Sequence, residues 1–112
     1  MYEVGIRYAV RLSPVAALII EGAGRRWMFT DDFVIGRRAP AGLVIDDEYL
    51  SPLHARCTCR GGVWAIEDLG TTNGTWAGGG PLSGGWRVHG LVPIGKGTRI
   101  RVGRTDLTFV PA

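Results

Sequence analysis

The amino-acid sequence predicts an all-β fold, a sandwich or barrel of short strands, on three observations. Helical periodicity is hard to find anywhere, whereas short runs rich in β-branched and aromatic residues recur about every ten residues. Gly, Pro and Asp signals divide these runs, as turns between strands require. Glycine and proline contribute 18 and 6 of the 112 residues, well above the usual share of roughly 12%, yet hydrophobic residues still reach 46%. The chain is therefore turn-rich, with apolar material for one core and the length of one small domain.

The elements follow in order. Tyr2, Val4, Ile6, Tyr8, Val10 and Leu12 alternate with residues such as Glu3, Arg7 and Arg11, the period-two pattern of a strand with one apolar face, and Ser13-Pro14 ends it. Leu18-Ile19-Ile20 leads through the hairpin turn Gly22-Ala23-Gly24 into Arg26-Trp27-Met28-Phe29, and Phe33-Val34-Ile35 ends at Gly36. A short run, Leu43-Val44-Ile45, precedes a polar loop and a long strand over residues 53–60, which Gly61-Gly62 turns into residues 63–67. Asn73-Gly74 is a strong hairpin signal. After Thr75-Trp76 comes a glycine-rich excursion over residues 78–85, then Trp86-Arg87-Val88, an alternating strand over residues 98–102, and residues 107–110.

No apolar run approaches the ~20 residues of a membrane helix, and the longest, residues 15–20, stops at Glu21. No secretory leader pattern is present either, so a cytoplasmic setting is expected. The formal net charge is +3, and twelve of the thirteen basic residues are arginines, the exception being Lys96. Arginine's planar fork suits bidentate anion binding, but a surplus this small and scattered does not mark a nucleic-acid surface. Cys57 and Cys59 point to one face of an extended strand and read as small core residues, since a bridge between them would distort it.

Motifs of catalysis fail on context. Residues 90–97 nearly match a nucleotide-binding P-loop, but Gly97 stands where the metal-binding hydroxyl belongs and a strand follows where a helix should open, so Gly95-Lys96-Gly97 is a tight turn. His54, Cys57, Cys59 and His89 lack the spacing of a zinc site, so no metal or other cofactor is expected. Ser51 sits in no nucleophile elbow, and three residues of extended chain would turn it away from His54. The chain is not expected to be an enzyme.

What remains is an ordered set of small polar residues on loops: Gly36-Arg37, then Ser51-x-x-His54, then Asp68-Leu69-Gly70-Thr71-Thr72-Asn73-Gly74-Thr75. Their order and spacing resemble the forkhead-associated (FHA) domain. The resemblance covers roughly residues 17–110 and implies a β-sandwich of about eleven strands whose loops at one end bind phosphothreonine peptides. Residues 17–112 would form the FHA-like domain and residues 1–16 a strand-like N-terminal arm. Arg37 matches the arginine that contacts the phosphate, and Ser51 the serine whose hydroxyl binds it. Thr72 and Asn73 match the loop pair that holds the phosphothreonine and its backbone, while Gly36, His54 and Gly74 support the loops. On residues alone, Arg37 could be a solvated strand-end arginine, Ser51 a turn before Pro52 and Asn73-Gly74 a hairpin.

The resemblance implies a phosphothreonine-bearing protein or peptide as partner, with a Ser/Thr kinase or its substrate behind it, and neither nucleic acid nor membrane. Residues 1–29 hold no threonine, so the arm cannot itself supply that ligand. Two departures keep a second reading open. Pro52 stands where the family often has a residue that helps hold the phosphate, and it offers no donor at all; the excursion over residues 78–85 also exceeds the family's usual turn. The alternative is a phosphate-independent assembly module that docks through its N-terminal strand, pairing with a partner or a second copy, or through the glycine-rich loop.

Overall fold

The computed structural model describes residues 16–111. The alternating arm expected before them lies outside the described residues. Among the described residues eleven strands are present: β1 (Leu18–Gly22), β2 (Arg25–Phe29), β3 (Phe33–Gly36), β4 (Leu43–Val44), β5 (Ala55–Arg60), β6 (Val63–Asp68), β7 (Thr75–Ala77), β8 (Trp86–Arg87), β9 (Val92–Pro93), β10 (Thr98–Val102) and β11 (Thr105–Pro111). The all-β expectation and the strand count both hold. Among the described residues no helix is long and apolar enough to cross a membrane.

The strands form two sheets, a six-stranded one in the order β2-β1-β11-β10-β7-β8 and a five-stranded one in the order β4-β3-β5-β6-β9. Pairing is antiparallel except between β3 and β4, which run parallel with Ile35 opposite Leu43. Period-two patterning sets which face is buried: Leu18 and Ile20, Ile35, Cys57, Ile100 and Val102, and Leu107 and Phe109 all point between the sheets. Trp64 fills the middle, its ring centroid 5.9 Å from that of Phe33, and its indole N–H donates to the Ala16 carbonyl at 3.0 Å. Cys57 is a buried core residue as expected, and Cys59 packs partly buried beside it; both are free thiols.

The Gly22-Ala23-Gly24 and Gly61-Gly62 turns close hairpins as expected. Asn73-Gly74 does not. It lies between β6 and β7, which belong to different sheets, so this loop crosses from one layer to the other instead of turning back on its own strand. Strand β9 is a further difference, since the sequence marked no strand between residues 88 and 98. It is two residues long, and its pairing to Ala65 and Ile66 of β6 is a tertiary contact that local pattern does not carry.

Candidate functional site

The β3–β4, β4–β5 and β6–β7 loops meet at one end of the sandwich. Each can be traced to the residues that shape it. Gly36 ends β3 where the β4–β5 loop crosses it so closely that a Cβ would sit 1.9 Å from the Pro52 carbonyl oxygen. Only glycine permits that approach. The next residue, Arg37, donates its backbone N–H to the Ser51 carbonyl at 3.1 Å, which fixes the two loops side by side. Its guanidinium donates one bond, Nη1 to the Glu48 carbonyl at 3.3 Å. The other guanidinium hydrogens and the Ser51 hydroxyl have no protein partner among the described residues.

His54 is wholly buried behind this surface. Its Nδ1 accepts the Ser51 backbone N–H at 3.1 Å, so its proton sits on Nε2, which donates to the Gly74 carbonyl at 2.9 Å. The expectation that Ser51 and His54 face opposite sides is thus corrected. The chain between them is not extended, because Pro52 lies in a bend before β5 and returns the imidazole beneath Ser51. His54 thus bonds the backbone of both the β4–β5 and the β6–β7 loops.

The β6–β7 loop is built around Asp68. Its carboxylate accepts the backbone N–H groups of Gly70 and Thr71 and the hydroxyls of Thr71 and Thr75, all at 2.7–2.9 Å. Partial burial pushes its pKa up, but the bonds from Thr71 and Thr75 outweigh this and hold the carboxyl below the usual range. The Thr71 hydroxyl in turn accepts the Gly74 N–H at 3.0 Å, and Gly74 has φ 80°, a left-handed conformation suited to glycine. Thr72 and Asn73 are thereby presented, exposed, at the tip. The Asn73 amide donates to the Tyr49 carbonyl at 3.0 Å, which joins this loop to the one bearing Ser51.

Three contributors were not singled out from the sequence. Arg87 of β8 reaches under the β6–β7 loop and donates from Nη2 to the Thr71 carbonyl at 3.1 Å and the Thr72 carbonyl at 3.4 Å. Tyr49 carries the Arg104 guanidinium 4.1 Å above its ring. Asp47 turns inward and bonds across to the β10–β11 turn. Asp68 carries the Asp-x-Gly-Thr spacing of a side-chain-capped turn, whereas the contacts of Arg87, Tyr49 and Asp47 to these loops and to the β10–β11 turn are made across the fold. Beside Asn73, a groove of about 490 Å³ runs between Tyr49, Trp76, Arg101, Arg104 and the glycine-rich loop at Pro81 and Leu82.

The sequence profile of the FHA domain matches residues 33–103. The FHA domain-containing protein FhaB of Mycobacterium tuberculosis is 37% identical over 105 residues, which is 94% of this chain and 63% of that relative. The chain therefore spans less than two thirds of the curated relative's length. Among solved structures, an FHA domain from a study of phosphothreonine-dependent FHA interactions superposes with a TM-score of 0.72 at 22% identity, covering 84% of this chain and 95% of that one. Mycobacterium tuberculosis EmbR, solved with a low-affinity phosphopeptide, gives 0.74 at 24% identity, covering 85% of this chain and 24% of that one. These similarities establish the fold.

Proposed function

The chain belongs to the FHA domain family, and from that premise we propose that it is a non-enzymatic module that binds a phosphothreonine segment of a partner protein, in a setting where a Ser/Thr kinase writes the mark. One observation carries the reading: Arg37 and Ser51, whose guanidinium (but for one bond) and hydroxyl have no partner among the described residues, sit on loops locked together by the Arg37–Ser51 backbone bond, with Asn73 tied in through Tyr49. The bonds that lock these loops together run within the protein, which in this reading limits the ordering cost of binding.

Phosphate makes the discrimination. An unmodified threonine offers Arg37 no charge, whereas phosphorylation adds about −1.5 to −2 and three acceptor oxygens. In this reading the Arg37 fork gives two charge-assisted bonds to the phosphate, the Ser51 hydroxyl a third, and Thr72 and Asn73 engage the phosphothreonine and its backbone. Gly36, His54 and Gly74 keep the loops in place. Pro52 adds no donor, so the phosphate rests on Arg37 and Ser51. The assignment of residues 17–112 to this module and of residues 1–16 to a separate arm belongs to the same proposal.

A second reading has one observation in its favour. Leu82, at the tip of the loop over residues 78–85, is 99% exposed, which suits an apolar contact that needs no phosphate. Titrating a degenerate phosphothreonine peptide pool and its unphosphorylated twin into the wild type and Arg37→Ala separates the two. The proposal expects anisotropy to rise only with the phosphorylated pool and only in the wild type. Equal binding of both pools, unchanged by Arg37→Ala, would replace it with the phosphate-independent reading.

A further inference from the structure

The β4–β5 loop holds three consecutive acidic residues, of which Asp46 and Glu48 are exposed while Asp47 is only 9% exposed. Burying a carboxylate is costly unless its oxygens are bonded. Those of Asp47 are: Oδ1 accepts the Tyr49 N–H at 2.8 Å, and Oδ2 accepts the Arg104 N–H at 2.7 Å and the Thr105 hydroxyl at 2.8 Å. Tyr49 lies two residues before Ser51. Arg104 and Thr105 belong to the turn and strand of the opposite sheet, 57 and 58 residues away in the chain. A single side chain therefore fastens the loop that carries Ser51 to the other layer of the sandwich.

The turn is pressed onto the loop from its own side as well. Gly103 has φ 58°, and a Cβ there would lie 2.6 Å from Leu50 Cδ1 and 2.7 Å from Asp47 Oδ2. Contacts continue from this junction toward the exposed tip, through the Arg104 guanidinium over Tyr49 and the Asn73 amide on the Tyr49 carbonyl. We propose that Asp47 is a positioning residue for phosphopeptide binding, its carboxylate clamping the β4–β5 loop to the β10–β11 turn and so holding Ser51 and Tyr49 where Arg37 and Asn73 meet them. The inference rests on the phosphopeptide reading above. The same bonds turn the Asp47 carboxylate inward, onto donors of its own loop and of the opposite turn.

Releasing the clamp lets the loop sample other positions, and apparent affinity falls in proportion to the binding-competent fraction. Asp47→Asn replaces one acceptor oxygen by a donor, and Thr105→Val removes only the hydroxyl from the far side while keeping the shape. Thr105→Ser restores that hydroxyl. Asp32→Ala breaks an exposed ion pair with Arg60 before β3 and serves as the control. With one labelled phosphothreonine peptide chosen from the pool, Asp47→Asn and Thr105→Val are expected to bind about tenfold more weakly, with Thr105→Ser and Asp32→Ala close to the wild type. In the ligand-free domain, the amide resonances of Tyr49 and Ser51 shift in Thr105→Val and return in Thr105→Ser, which a role confined to fold stability would not produce. Equal affinities across these variants, or a Thr105→Ser as weak as Thr105→Val, would overturn the clamp while leaving the phosphopeptide reading in place. A wild type that binds no phosphopeptide would overturn both.

Discussion

The Nδ1 atom of His54 accepts the backbone N–H of Ser51 at 3.1 Å. Because the same imidazole donates from Nε2 to the Gly74 carbonyl at 2.9 Å, one buried side chain fixes the relative position of two loops that approach the site from different sides. Neither bond survives a ring rotation or a change of tautomer, so the geometry of Ser51 depends on a residue that never reaches the surface.

Replacing His54 by Ala leaves a half-buried N–H and a buried carbonyl without the imidazole and opens a cavity. Stability is expected to fall by roughly 2–4 kcal/mol in urea unfolding. Phosphopeptide binding should weaken as well, even in conditions where the variant is fully folded. A variant as stable as the wild type would show that water replaces the imidazole without loss.

Gly36→Ala places a methyl group on the Pro52 carbonyl, 1.9 Å away before relaxation. Backbone must move to relieve it, because the obstacle is not a flexible side chain. A loss of about 1–3 kcal/mol is expected, as for other overpacked sites, together with a displaced Ser51 loop. Thermal melting and the Arg37 amide resonance check the two effects separately.

Arg87→Ala removes the prop beneath Thr71 and Thr72 but leaves both sheets intact. The expected result is binding several-fold weaker with little change in unfolding midpoint, and faster hydrogen exchange at Gly74. Arg87→Lys should recover only part of the affinity, since an ammonium lacks the planar fork that spans both carbonyls. Unchanged exchange at Gly74 would contradict the prop.

Asp47 and Asp68 both have carboxyls held below the usual range, the bonds they accept outweighing the effect of burial. The unfolded chain protonates such groups more readily, so their contribution to stability is present above the unfolded carboxyl pKa of about 4 and is lost as pH falls through the lower native values. Unfolding midpoints should therefore drop on acidification below about pH 4, with a shallower slope in Asp68→Asn. Parallel slopes for the two proteins would remove Asp68 from the account.

Much of the sandwich was legible because its strands carry their own signals. Leu18 and Ile20, or Ile100 and Val102, bury alternate positions, and glycines mark the β1–β2 and β5–β6 hairpins. The loop residues Gly36, Arg37, Ser51, His54, Thr72, Asn73 and Gly74 were reached through the resemblance of their motifs to the FHA domain, and the structure draws their loops to one end. What the sequence concealed was non-local. Asn73-Gly74 carries the local signature of a hairpin, yet the strands it joins lie in separate sheets. Asp47 and Arg87 look like ordinary surface charges until the fold brings them to Thr105 and Thr71. The bend at Pro52 that returns His54 to Ser51 likewise depends on the close approach to Gly36.

The most direct test of the account is amide chemical-shift mapping of the isotope-labelled domain with a phosphothreonine peptide and with the same peptide unphosphorylated. The account predicts saturable shifts centred on Arg37, Ser51, Thr72 and Asn73 with the phosphorylated peptide and none with its twin. Shifts of equal size with both peptides, or shifts confined to the loop over residues 78–85, would contradict it.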